Sequence, residues 1–118
     1  NTLRGNVLAS ACPSRKILQH LTNRWGGLVL IVLCSGTKRF SELRRAIDGV
    51  SERMLTQTLQ QLEEDGMLIR KSFNTVPPHV EYSLTVFGKQ AAKRIKELAD
   101  WLETNLDDIL KAREKMHE

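Results

Sequence analysis

The stretch SERMLTQTLQQLEEDG, residues 51–66, puts four side chains that could read a nucleic-acid base on one face of a helix: Arg53, Thr56, Gln57 and Gln60. Leu55, Leu59 and Leu62 recur at i, i+4 and i+7 on the opposite side, the spacing of a stripe that a helix buries. A solvated helix face usually carries Lys and Glu pairs; this one carries an arginine, a threonine and glutamines. Arginine donates to guanine O6 and N7, glutamine bonds adenine bidentately, and a threonine methyl meets the thymine methyl. Glutamate on that face would repel phosphates, and lysine alone would bind without reading. Glu63, Glu64 and Asp65 stand at the far end, where such a helix would leave the groove. Thr and Gln are also common on surfaces, so a plain polar face stays open on these residues alone.

A second centre is Cys12, followed by Pro13. Proline suits the first position of a helix, which leaves Cys12 at or next to the N-cap. A thiolate there is stabilised by the orphan N–H groups and the positive end of the helix dipole. Arg15 and Lys16 add positive charge in the first turn. The same cysteine also fits a small half-buried residue in an interface. Cys34, the other cysteine, lies in an apolar run and reads as inert packing; a bond between the two would need a proximity that spacing does not give.

Other chemistry has little support. Two cysteines are too few for a disulfide scaffold or a four-ligand zinc site. His20, His79 and His117 lie far apart, with no HExxH pattern. No Gly-rich phosphate loop and no GxSxG is present, and Asp107-Asp108 reads as a solvated pair. Neither catalysis nor a cofactor nor a metal is expected.

The elements that position these residues follow from length and pattern. A chain of 118 residues, 41% hydrophobic and 27% charged, suits one globular domain spanning 1–118. No apolar run approaches the ~20 residues of a membrane span; the longest is LVLIVLC, residues 28–34. Residues 1–11 lack an apolar core with a cleavage site, so a reducing cytoplasm is the expected compartment. The net charge of +4 sits in residues 1–36, which hold Arg4, Arg15, Lys16 and Arg24 and no acid. Residues 37–85 and residues 86–118 each balance seven basic against seven acidic side chains. A nucleic-acid surface must therefore come from spatial separation of the signs rather than from total charge.

Residues 12–25 read as a short helix with Ile17, Leu18, Leu21 and Trp25 as its stripe. GGLVLIVLCSG, residues 26–36, is apolar on all sides and fits a buried strand or a buried helix. A helix is preferred because no alternating partner strand lies nearby. Residues 39–51 give a short helix facing inward through Phe40, Leu43 and Ile47, then a turn at Asp48-Gly49. Ser51 caps the next helix and Gly66 ends it. Two helices joined by a short Gly-containing turn make a helix-turn-helix. Residues 67–73 and 80–85 read as strands around the stiff loop NTVPPH, with Val80, Tyr82 and Leu84 alternating. A long helix follows from Thr85 to about Lys115, its stripe made of Ala91, Ile95, Leu98, Leu102, Leu106 and Ile109, with Trp101 beside it.

The order helix, helix, helix, reading helix, hairpin, helix is that of a winged helix-turn-helix: mainly α with a small β-hairpin (α+β). Lys38, Arg39, Arg44 and Arg45 flank the motif, and Ser51 caps the end that would approach phosphate. Arg70, Lys71 and His79 belong to the hairpin. Of these, Lys38, Arg39, Arg44, Ser51, Arg70, Lys71 and His79 are the expected DNA-backbone contacts.

CPSRKIL at 12–18, RWGGLVL at 24–30, GTKRFSELRRAIDGVSERMLTQTLQQLEEDGMLIR at 36–70 and VPPHVEYSLTVFGK at 76–89 together make the chain resemble the HxlR family of MarR-like winged-helix transcriptional regulators. The likeness covers roughly residues 12–110. It implies a DNA-binding homodimer of the bacterial cytoplasm, a repressor on a double-stranded, pseudo-palindromic operator. Residues 51–65 would be its recognition helix and 67–84 its wing. Residues 26–34 become a helix. Family dimers pair through the N-terminal segment and the C-terminal helix, here about 86–115, which puts Leu98, Trp101, Leu102, Leu106 and Ile109 in the interface. Members often carry a cysteine just before a proline near the N-terminus and several use it to sense oxidants or electrophiles; Cys12-Pro13 matches that position. Two rivals stand beside this reading. One is a regulator gated by a small aromatic ligand at the dimer interface, with Trp25 and Trp101 lining the pocket. The other is a winged-helix protein–protein module, which Arg53, Gln57 and Gln60 oppose.

Overall fold

In a computed structural model, residues 4–117 are described, and among them five helices and three strands follow one another. Pro13 opens α1 (Pro13–Thr22) with Cys12 as N-cap residue. The helix does not continue to Trp25, as the apolar spacing suggests. Asn23 interrupts it: its Oδ1 accepts from the N–H groups of Trp25 at 3.1 Å and Gly26 at 2.6 Å and so starts α2 (Gly26–Leu33). Gly26 is required for that close turn, because a Cβ there would sit 2.0 Å from the His20 carbonyl oxygen.

Residues 26–33 form a helix, yet it is not buried all round. Val29, Leu30 and Leu33 are enclosed, whereas Leu28 is 42% exposed and Cys34, just past the helix end, is exposed. Cys34 is thus not the packed residue its apolar surroundings suggest. The two-residue strand β1 (Lys38–Arg39) leads into α3 (Phe40–Ala46), where the Glu42 carboxylate accepts from the Arg39 N–H at 2.8 Å. Gly49, at φ 85°, makes the turn. In α4 (Glu52–Glu64) Ser51 is the cap its type predicts, its Oγ accepting from the Met54 N–H at 3.1 Å.

The wing is β2 (Leu68–Phe73) and β3 (His79–Leu84), antiparallel, with Leu68 opposite Leu84 and Phe73 opposite His79. It is more than a hairpin. β1 pairs with the other edge of β3, Lys38 opposite Tyr82, giving the order β1-β3-β2. Thr85 then caps α5 (Val86–Met116) by accepting from the Gly88 N–H at 2.9 Å, and donates to the Gly66 carbonyl at 2.6 Å.

One hydrophobic cluster joins these elements. Val29, Leu30 and Leu33 of α2 meet Leu43 of α3, Leu55, Leu59 and Leu62 of α4, Leu68 of β2, Tyr82 of β3 and Ala92 of α5. The leucine stripe of α4 is therefore what fixes its orientation. Burying each such side chain is worth about 1.5–3 kcal/mol. Beyond Ile95, α5 leaves the cluster and most of its large apolar side chains are exposed: Leu98 is 61% exposed and Trp101 57%.

Candidate nucleic-acid interface

With Leu55, Thr58, Leu59 and Leu62 buried, the helical period turns Arg53, Thr56, Gln57 and Gln60 outward, and all four are exposed. Among the described residues no hydrogen bond or ion pair holds Arg53, Gln57 or Gln60. Their donors and acceptors are free for an incoming partner. Thr56 differs: its hydroxyl donates to the Glu52 carbonyl at 2.8 Å. A cleft of about 480 Å³ separates this helix from the sheet, with Thr56 and Gln60 on one side and Arg70 and Tyr82 on the other.

The expected backbone contacts are not equivalent. Arg39 and Lys71 stand opposite Glu81 on either side of β3, so a row of cation, carboxylate and cation crosses the sheet. The Lys71 ammonium lies 5.1 Å from the centre of the Phe73 ring. Lys38 is half-buried beside Tyr82, and the Arg70 guanidinium donates to the Ser72 hydroxyl at 3.2 Å. Arg44 shares its charge with Glu52 at 3.7 Å. Ser51 serves the helix through its hydroxyl. His79 is tied into the wing: its ring stacks on Phe73 at 4.6 Å and its Nε2 lies 3.0 Å from a Glu81 oxygen. A phosphate reaching His79 would have to share it with Glu81.

Sequence reasoning missed the link between α1 and α4. His20 Nδ1 lies 2.6 Å from Asp65 Oδ2, with side chains only 15% and 12% exposed. Asp65 is the C-cap residue of α4, so this pair fastens the last turn of α4 to α1. Forty-five residues separate the partners, and no local pattern marks them.

At the other end of α1, Cys12 is half-buried. The Asn6 N–H donates to its sulfur at 3.3 Å and Ser14 Oγ lies 3.0 Å from it. The Asn6 N–H, then the Ser14 hydroxyl and N–H, hold this thiol below the usual thiol range. The helix end contributes as its position suggests, but the largest stabilisation comes from a loop amide upstream that spacing could not reveal.

Leu98, Trp101, Leu102 and Leu106 are exposed along one side of α5, and Ile109 is half-buried. Trp25 is 9% exposed in the core under the Arg24 guanidinium, while Trp101 is outside it on α5. The two tryptophans therefore sit in different settings within one chain. Among the described residues no group of three or more His, Cys, Asp or Glu could hold a metal, and no helix is long and apolar enough to cross a membrane.

Against this geometry, the profile of the HxlR-like helix-turn-helix family matches residues 20–109. The chain is 55% identical over 111 residues to YtfH of Escherichia coli K12, described as an uncharacterized HTH-type transcriptional regulator, covering 94% of this chain and 88% of that one. The solved structure of a transcriptional regulator, YtfH of Salmonella typhimurium, superposes with a TM-score of 0.88 at 56% identity, over 94% of this chain and 99% of the other. The redox regulator HypR in its reduced form superposes at 0.74 with 37% identity, over 85% and 98%.

Proposed function

The chain belongs to the HxlR-like helix-turn-helix family and is a DNA-binding transcription regulator, and we propose that it works as a homodimer on a pseudo-palindromic operator read by α4. The observation that carries this reading is the outer face of α4, where Arg53, Gln57 and Gln60 stand exposed without partners while the leucines behind them are fixed in the core. Arg53, Thr56, Gln57 and Gln60 contact base edges; Lys38, Arg39, Arg44, Ser51, Arg70 and Lys71 contact the backbone, with His79 bracing the wing behind them. The compartment is the bacterial cytoplasm, and the outcome at the promoter is repression.

The dimer forms through Leu98, Trp101, Leu102, Leu106 and Ile109 of α5. Its role is to set two copies of α4 at a spacing of about 34 Å, one turn of the duplex. The signal enters at Cys12. A thiol whose pKa is lowered carries a larger thiolate fraction than an ordinary cysteine and reacts faster with oxidants or electrophiles. The likeness to a redox regulator supports that choice. Modification alters the packing of α1, whose far end grips Asp65 through His20.

Selection of binding sites from a random duplex library with reduced protein tests the reading. Enrichment of an inverted repeat with half-sites about one helical turn apart is expected. Enrichment of a single unrepeated site, or of nothing, contradicts it.

A further inference from the structure

We propose that the cleft between the base of the wing and the outer face of α5 binds a small polyhydroxylated anion, a sugar phosphate or a sugar acid. The cleft has a volume of about 730 Å³. Lys89, Lys93 and Lys96 line one wall, spaced at i, i+4 and i+7 so that they share a helix face. Asp100 takes up Lys96 at 3.3 Å. Among the described residues no carboxylate lies within ion-pair distance of Lys89 or Lys93, so two ammonium groups are left for an anion.

The rest of the lining decides which kind of anion. Ser35 and Thr37 from the α2–β1 loop and Ser83 from β3 line the same cleft, three hydroxyl-bearing side chains. The Ser35 hydrogen is spent on the Val32 carbonyl at 2.9 Å, so its oxygen is an acceptor. Glu97 and Asp100 close the same cleft and accept from hydroxyls while repelling a second negative charge. The aliphatic lining is Leu33 and Leu84, too little to hold a flat apolar acid. Three lysines against two carboxylates leave one net positive charge. A ligand with one anionic end and several hydroxyls matches that pattern group by group.

Counted at about 100° per residue, the lysine wall lies on the far side of α5 from Leu98, Leu102 and Ile109. A second copy seated on that apolar face leaves the cleft open. The loop from Cys34 to Thr37 runs directly into Lys38 and Arg39 of β1, so an occupant bridges α5 to the strand that carries these cations. The site stands independently of how α4 reads DNA.

Titration of the ¹⁵N-labelled full chain with glucose 6-phosphate and, separately, with gluconate tests it by amide shifts, with glucose and inorganic phosphate as controls. Saturable shifts at Ser35, Thr37 and Ser83 are expected for at least one of the two anions. Response to the phosphate ester alone identifies a phosphorylated ligand, and response to gluconate alone a carboxylate. The combined variant Lys89→Gln and Lys93→Gln weakens binding by at least about tenfold, the scale of one lost charge-assisted contact. Three results overturn the proposal: no saturable shift with either anion, inorganic phosphate binding as tightly as both, or a double variant that binds unchanged. Operator binding by the same sample is the separate measure of DNA reading.

Discussion

The outer face of α4 and the distal half of α5 are both helix surfaces that the fold leaves uncovered, but one is polar and the other apolar. On α4, Arg53, Gln57 and Gln60 point outward from a helix whose other side is locked by Leu55, Leu59 and Leu62. On α5, Leu98, Trp101, Leu102 and Leu106 point outward from a helix that has already left the core. Water satisfies the first surface at little cost, so it can wait for a ligand that offers hydrogen bonds in the right places. It does not satisfy the second, where every exposed leucine forfeits burial worth about 25 cal/mol per Å². The contrast is what the proposed function rests on: base edges as the partner of α4, and a second copy of the same stripe as the partner of α5. In the proposed mechanism α1 lies between them, with Cys12 at one end and the His20–Asp65 pair at the other.

The largest way to break the comparison is to make the two faces alike. Placing charges on α5 with Leu102→Glu and Leu106→Glu is expected to give a folded monomer by sedimentation. Operator affinity then falls by at least about a hundredfold, because the two half-site contacts no longer add. A variant that stays dimeric would move the interface elsewhere. Next in size is Arg53→Ala, expected to cost about 1–3 kcal/mol on the operator and to relax specificity at one base position. Arg39→Ala should weaken operator and unrelated DNA alike and flatten the salt dependence by about one phosphate contact, as measured by titration at several salt concentrations. Equal losses from both variants on both DNAs would make Arg53 a phosphate contact. The smallest effect belongs to Ser14→Ala. Removing a hydroxyl that favours the thiolate raises the Cys12 pKa, so alkylation by iodoacetamide at neutral pH slows while reduced-state DNA binding is unchanged. Cys12→Ser should abolish any effect of diamide on operator binding; a serine variant that responds like the parent places the sensor elsewhere.

Local rules carried most of the architecture. Ser51 and Thr85 mark helix starts by accepting from the N–H three residues on, Pro13 marks one by its fixed φ at the first helical position, and Gly66, at φ 77°, ends α4. Leucine spacing fixed which side of α4 is inside. What stayed hidden depends on distance along the chain. A strand as short as Lys38–Arg39 shows no alternation, and it exists because β3 offers a free edge. The break at Asn23 follows from the approach of Gly26 to His20 rather than from the apolar spacing, which runs on to Trp25. Cys34 looked packed because its neighbours are apolar, yet α2 ends just before it and turns it toward the cleft. For the site, residue type alone nominated the α4 readers. It could not tell that His79 is engaged by Glu81 and Phe73, or that Asn6 supports Cys12.

Fluorescence anisotropy with reduced protein at near-physiological salt tests the central claim most directly. One probe is the duplex upstream of the protein's own gene, the other a scrambled duplex of equal length. A preference of about a thousandfold or more, reduced but not lost in Arg53→Ala by the roughly 1–3 kcal/mol of one base contact, is the predicted result. Equal, weak binding to that duplex, to the scrambled one and to any sequence drawn from the selection would contradict it, leaving the polar face of α4 as a solvated surface.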